Sequence, residues 1–267
     1  MSNKEPIQHV CIVIPTYNEQ GCIKETLLNI LAQCPHITAK LSILVFDSHS
    51  TDNTPTIVQS LQSQYPQIYL SSEPQKTGLG SAYIQAMGIA MDTLHPDAVI
   101  EFDADGSHQP HHLPKMIEKL EQGADVVIGS RYVKGGSIPA DWPWHRKCLS
   151  VMGNLLARVI LTPQYKDITS GFRATRTTHL KKIQLSSLLS YQYAYKIHLV
   201  WELHRLNLDI QEIPTDFIDR TTDLSKFPQN NVIDSLRVIF TLRLRTLERF
   251  IKVCCVGISG IAIQFTA

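Results

Sequence analysis

AVIEFDADGSHQP, residues 98–110, decides how the chain is read. A short apolar run stops abruptly at a polar turn holding two acids, and Pro110 and Pro114 then suit a helix start. This predicts a buried strand over Ala98–Phe102 followed by a helix over His111–Glu121. The same unit recurs on both sides. VCIVIP (Val10–Pro15) precedes TYNE and a helix over Gln20–Cys34, and LSILVF (Leu41–Phe46) precedes DSHSTDNT and a helix over Thr54–Ser63. Ile68–Leu70 precedes KTGLG and a helix over Ser81–Met91, and ADVVIGS (Ala124–Ser130) adds a strand. Helical patterns return over Lys147–Leu161 and Tyr191–Leu206, with a strand over Ile210–Phe217. The alternation predicts an α/β fold with a mostly parallel, Rossmann-like sheet flanked by helices. Ligands of such sheets sit beyond the carboxyl ends of the strands, so the four polar clusters form one rim.

Composition narrows the classes. With 267 residues, 43% hydrophobic and 18% charged, the chain can build a substantial core and is neither disordered nor fibrous. A net charge of +1 gives no reason to expect nucleic acid. Six dispersed cysteines without CxxC spacing argue against a disulfide scaffold and for a reducing cytosol. The charge is uneven, however. From Arg237 onward five basic residues stand against Glu248 alone, while the remainder has 20 basic and 23 acidic residues. This basic stretch runs into VCCVGISGIAIQFTA (residues 253–267), which is expected to be either a core helix or the first part of a transmembrane helix cut short at Ala267.

The rim residues suggest chemistry. Asp103 and Asp105, leaving a strand together, can converge on a hard divalent cation such as Mg²⁺ or Mn²⁺; the same pair also suits a solvated turn. His108, His111 and His112 raise zinc, but no His-x₃-His pair and no nearby cysteine supports it. Lys76-Thr77-Gly78-Leu79-Gly80 either cradles phosphate on helix amides or is a glycine turn, and it matches neither GxGxxG nor a Walker loop. Arg131, Arg146, Arg173, Arg220 and Lys226 suit phosphate contacts if they converge.

Seven segments in order carry a family resemblance: VIPTYNE (13–19), FDSHSTDNT (46–54), KTGLGSAY (76–83), FDADGSHQP (102–110), DVVIGSRYVKGG (125–136), TSGFRAT (169–175) and DRTTDLSK (219–226). Together they resemble the family 2 glycosyltransferases of the dolichol-phosphate mannosyltransferase type, which have the GT-A fold. The resemblance implies a GT-A catalytic domain over residues 1–228, juxtamembrane amphipathic helices over 229–250 and the start of a transmembrane helix over 251–267. It implies inverting transfer of a hexose from GDP-mannose or UDP-glucose to a polyprenyl phosphate, at the cytoplasmic face of a membrane. Pro15, Tyr17, Glu19 and Asp47 would hold the nucleoside, with Lys76 also on the donor side. Asp103, Asp105 and Ser107 would hold Mg²⁺ or Mn²⁺, with Ala104 lining the strand exit. Arg131, Arg146 and Ser150 would receive the acceptor phosphate, and Arg220 and Lys226 would clasp the diphosphate. Ser48, Ser107, His198 and Asp223 depart from the family pattern.

Two other readings use the same residues. A glycosyltransferase acting on a sugar hydroxyl needs a carboxylate base, for which Asp167 and Glu202 are the candidates. A nucleotide-sugar-binding protein without turnover is the other, motivated by Ser48, Ser107 and His198.

Overall fold

HVCIVIPT and KLSILVFD are apolar along both faces because both faces are covered, as parallel strands between helix layers require. They form β1 (His9–Thr16) and β2 (Lys40–Asp47) in a computed structural model that describes residues 5–218 and 231–248. The other strands are β3 (Ile68–Ser72), β4 (Ala98–Glu101), β5 (Val126–Ser130), β6 (Arg173–Arg176) and β7 (Ile210–Pro214). All seven join one sheet in the order β3-β2-β1-β4-β6-β5-β7. Six run parallel to one another, and β6 lies antiparallel between β4 and β5.

The helices are α1 (Ile23–Leu31), α2 (Thr54–Gln62), α3 (Leu79–Ile89), α4 (Leu113–Glu121), α5 (Trp144–Ile160), α6 (Thr177–Leu180) and α7 (Tyr195–Arg205), with residues 231–248 also helical. Alternate residues of β1 feed the two cores. Val10, Ile12 and Ile14 pack with Ile23, Leu27, Val58 and Ile117 from α1, α2 and α4. Cys11 and Val13 pack with Tyr83, Met87 and Leu199 of α3 and α7, and with Val238, Ile239 and Leu242 of the 231–248 helix. That helix therefore belongs to the body, although Ile233, Phe240 and Leu244 on it are exposed.

Several expectations are corrected. The helix expected over Gln20–Cys34 ends at Leu31, and a separate turn, Cys34–His36, forms around Pro35. The helix expected from Tyr191 starts at Tyr195, the one expected from Lys147 starts at Trp144 behind Pro143, and the last strand ends at Pro214. β6 was not anticipated as a strand at all. No helix among the described residues is long and apolar enough to cross a membrane. The segment read as a transmembrane start, 251–267, lies outside the described residues, as do Arg220, Asp223 and Lys226.

Candidate active site

Strand β4 stops at Glu101, so Asp103 and Asp105 sit in the turn beyond it and are free to face different ways. Asp103 turns inward. Its carboxylate accepts a hydrogen bond from the Tyr83 hydroxyl at 2.6 Å and faces the Lys196 ammonium at 3.2 Å. The Asp103 amide donates to His108 Nδ1 at 3.0 Å, which leaves the proton of that ring on Nε2, 3.4 Å from the same carboxylate. Burial would raise the Asp103 pKa, but the Lys196 charge, with His108 and Tyr83, overcomes this and holds it well below the usual carboxylate range. Burial pushes His108 down to about 4, so the ring is neutral at pH 7. Burial and then Asp103 push the Tyr83 hydroxyl far up, keeping it a donor.

Lys196 is 2% exposed, and its ammonium reaches Asp103 only because residue 171 is glycine. A Cβ at Gly171 would lie 1.9 Å from Lys196 Nζ. One step further inside, Glu101 and Arg173 face each other across the β4–β6 register and form an ion pair at 2.5 Å, with the Tyr195 hydroxyl donating to Glu101 at 2.7 Å. The result is a buried alternation of charges, Glu101 with Arg173 and Asp103 with Lys196, beneath the turn.

Asp105 faces the rim and accepts the Ser107 amide at 3.0 Å. The Ser107 side chain is buried, and its hydroxyl has no hydrogen-bond partner among the described residues. Ala104 is buried between the two acids, and its carbonyl accepts from Thr26 at 2.9 Å. An orphaned buried hydroxyl beside a carboxylate is an all-oxygen donor set, and it fits a hard divalent cation. Asp103, in contrast to the symmetric pair expected from the sequence, is already compensated by Lys196.

The residues expected on the donor side lie at and around the ends of β1 and β2. Pro15 lies within β1, and the Tyr17 ring beyond it carries the Lys76 ammonium 3.4 Å from its centroid. Glu19 is tied down by its amide, which donates to Thr54 at 2.8 Å, and by the Cys22 thiol, 3.2 Å from its carboxylate. Asp47 is buried, and its carboxylate accepts from Thr16 and from the amide and hydroxyl of Ser50. In this structure it shapes its own loop rather than facing outward. The phosphate-cradle reading of KTGLG is overturned, because the amides of Gly80 and Ser81 both donate to the Tyr191 carbonyl, at 2.9 and 3.2 Å. The glycines serve close packing: a Cβ at Gly78, whose φ is +124°, would lie 2.4 Å from that carbonyl.

The third group lies on the β5 exit and α5. Arg131 makes a two-pronged ion pair with Asp167, both contacts at 2.8 Å, and donates to Thr169 at 2.7 Å. Burial alone would lower the arginine and raise the acid; their pairing reverses both, so each stays charged. The Tyr132 hydroxyl and Ser150 are 2.7 Å apart, and Arg146, one helical turn before Ser150, lies over the Trp142 ring at 4.0 Å. Arg131 and Ser150 are linked only through Tyr132, whose hydroxyl meets Ser150 and whose ring lies 5.3 Å from the Arg131 guanidinium, and Arg131 is clamped by Asp167 rather than open. Asp167 is consumed by Arg131, and Glu202 lies near the far end of α7, paired with His198 and Arg205. Neither acid considered as a base faces the rim. His198 is buried and accepts the Leu189 amide at 2.9 Å, as a core histidine does. Lys196, Tyr83 and Gly171 carry little signal in the sequence; the one available is a lysine in the largely apolar first turns of the helix YKIHLVWEL.

A mostly parallel sheet with an acidic turn at the exit of its central strand is the arrangement of the GT-A fold. The chain belongs to glycosyl transferase family 2, whose model matches residues 11–184. It is 34% identical over 232 residues, 86% of this chain and 85% of the relative, to a polyprenol monophosphomannose synthase of Mycolicibacterium smegmatis. It is 36% identical over 217 residues, 81% of this chain and 86% of the relative, to an undecaprenyl-phosphate mannosyltransferase of Micrococcus luteus. The fold matches the crystal structure of glucosyl-3-phosphoglycerate synthase from Mycobacterium tuberculosis in complex with Mn²⁺ and uridine-diphosphate-glucose. The TM-score is 0.64 at 21% identity, over 89% of this chain and 79% of that one.

Proposed function

We propose that this glycosyltransferase moves a hexose from a nucleotide diphosphate sugar, GDP-mannose or UDP-glucose, to a polyprenyl phosphate, with inversion at the anomeric carbon. The observation that carries this reading is that both acids considered as a base are engaged elsewhere, Asp167 by Arg131 and Glu202 by His198 and Arg205. A sugar hydroxyl needs a base, whereas a phosphate monoester, with a second pKa near about 6, is already an anion at pH 7. The relatives' names support the same acceptor and favour mannose.

In this reading Pro15, Tyr17 and Lys76 hold the nucleoside side of the donor. Asp105 and Ser107 hold Mg²⁺ or Mn²⁺, with Asp103 behind them. When bound, the ion offsets the charge that develops on the leaving diphosphate. Lys196 keeps Asp103 ionised and fixed, and Tyr83 and His108 orient its carboxylate. Arg131, locked by Asp167, and Arg146, backed by Trp142, present fixed positive charge to the acceptor phosphate, beside Ser150. The phosphate oxygen bonds to the anomeric carbon as the bond from that carbon to the nucleoside diphosphate breaks. Positioning two anions and neutralising one of them is the catalysis required.

A lipid acceptor asks for a membrane-facing surface, and α5 offers one. Trp144, Met152, Leu155 and Val159 are exposed along the helix that carries Arg146 and Ser150. We infer that this face meets the cytoplasmic side of a membrane. The test is incubation with labelled donor, Mn²⁺ and extracted polyprenyl phosphate. Lipid-linked sugar is the expected product; a free glycan would favour the hydroxyl-acceptor reading, and donor binding without turnover would end both.

A further inference from the structure

The turn that follows the acidic loop, Pro110–His112, and the segment that follows β7 meet at a cluster that the proposed chemistry does not use. His111 Nε2 lies 3.4 Å from Asp216 Oδ1, and His112 Nε2 makes a short contact with the same oxygen. The three ligand atoms all fall within 4.8 Å of one another. Neighbours in sequence usually diverge, yet these two rings converge, with centroids 4.1 Å apart. A histidine–aspartate hydrogen bond alone would account for His112. It gives no reason for His111 to turn its own Nε2 to the same oxygen.

We propose that His111, His112 and Asp216 form a second metal site, separate from the acidic turn and selective for a borderline transition ion of the Zn²⁺ type over Mg²⁺ or Mn²⁺. Two imidazole nitrogens and one carboxylate are the donor set of open zinc sites, which keep a fourth position for water. Zinc–ligand bonds of about 2.0–2.2 Å in a tetrahedron place neighbouring ligand atoms about 3.3–3.5 Å apart. His111 and Asp216 already stand at that separation, and the ion needs only His112 to draw back from its short contact with Asp216. The two elements it ties together both border the acidic turn. The Ile218 amide, two residues past Asp216, donates to the Ser107 carbonyl at 3.3 Å, and Asp216 bridges to Ser137. An ion here would fix the chain just ahead of Arg220, the next basic residue in sequence.

The sequence could not show this site, because Asp216 lies 104 residues from His112. Its test is isothermal titration of the full chain with Zn²⁺ in excess Mg²⁺, together with the optical spectrum of the Co²⁺ form. Cys148→Ser is the background, to remove an exposed thiol. One ion per chain is expected, with affinity falling at least tenfold in His111→Ala and in Asp216→Asn, and unchanged in Asp105→Ala. His111 is the most exposed of the three, so its variant keeps the test open even if the others fold poorly. Zn²⁺ binding that is absent, that survives both substitutions, or that is lost in Asp105→Ala would overturn the proposal. The last of these would place the ion at the acidic turn and leave the glycosyl-transfer reading standing.

Discussion

Lys196→Met tests the centre of the site most directly. At the 3.2 Å separation of Lys196 Nζ and Asp103, an effective dielectric of about 20 gives an attraction of about 5 kcal/mol. Removing one partner of a buried ion pair costs about 3–5 kcal/mol, because the other charge is left uncompensated. Asp103 keeps 21% of its side-chain surface exposed, so the lower end applies, about 3 kcal/mol. At about 2–4 °C per kcal/mol for a domain of this size, the melting temperature should fall by about 6–12 °C. A divalent ion then becomes the natural replacement charge. Mn²⁺ at about 100 times its Kd contributes about 2.7 kcal/mol, so it should return most of the lost stability. The assay is differential scanning fluorimetry of parent and variant with and without Mn²⁺. A variant that melts like the parent, or that gains no more from Mn²⁺ than the parent does, would refute the Lys196–Asp103 pairing as the local charge balance.

Gly171→Ala should reproduce that loss by expelling the ammonium, and should cost far less in a Lys196→Ala background; urea midpoints of the double-mutant cycle check the coupling. Asp105→Ala should abolish metal-dependent sugar transfer, and near-normal turnover would remove Asp105 from the metal site. Arg131→Ala should lower stability by about 3–5 kcal/mol through the stranded Asp167, and should raise the KM for the lipid acceptor more than for the donor. Adding Asp167→Ala should restore the stability and leave the acceptor KM high, which separates the two roles. His108 is neutral in the fold and has a pKa near 4, below the 6.5 of an unfolded chain. Unfolding therefore takes up a proton between these values, and stability present above about pH 6.5 is lost as pH falls toward 4, by up to about 1.4 kcal/mol per unit. His108→Gln should flatten that slope in urea denaturation between pH 7 and 5.

The legible parts of this protein are those where one residue class decides. The apolar runs of β1 and β2 and the polar turns that follow them were readable because a strand buried on both faces has little freedom of composition. Asp103 and Asp105 stand out for the same reason, as acids where an apolar strand stops, whereas Ser107 is pointed to only by the family resemblance. β6 was hidden because its sequence, RATR, reads as surface. Both arginines are in fact buried: Arg173 against Glu101, and Arg176 donating to the carbonyls of Ala124, Leu120 and Glu5. The partners lie 52 to 171 residues apart, beyond any local pattern. Lys196 was hidden likewise, since a lysine in a helix reads as solvated until its surroundings are known. The phosphate reading of KTGLG failed for a related reason: glycine signals close approach, and the approaching group is the Tyr191 carbonyl.

The antiparallel β6 also governs when the sheet can close. A ribosome releases β4 and β5 well before Arg173, and during that interval each holds an edge with unmet amides and carbonyls, with Glu101 lacking its counter-ion. Assembly of the C-terminal half therefore waits for one four-residue strand to slot in like a keystone. A nascent chain halted ahead of it is the species most exposed to sticking to its neighbours.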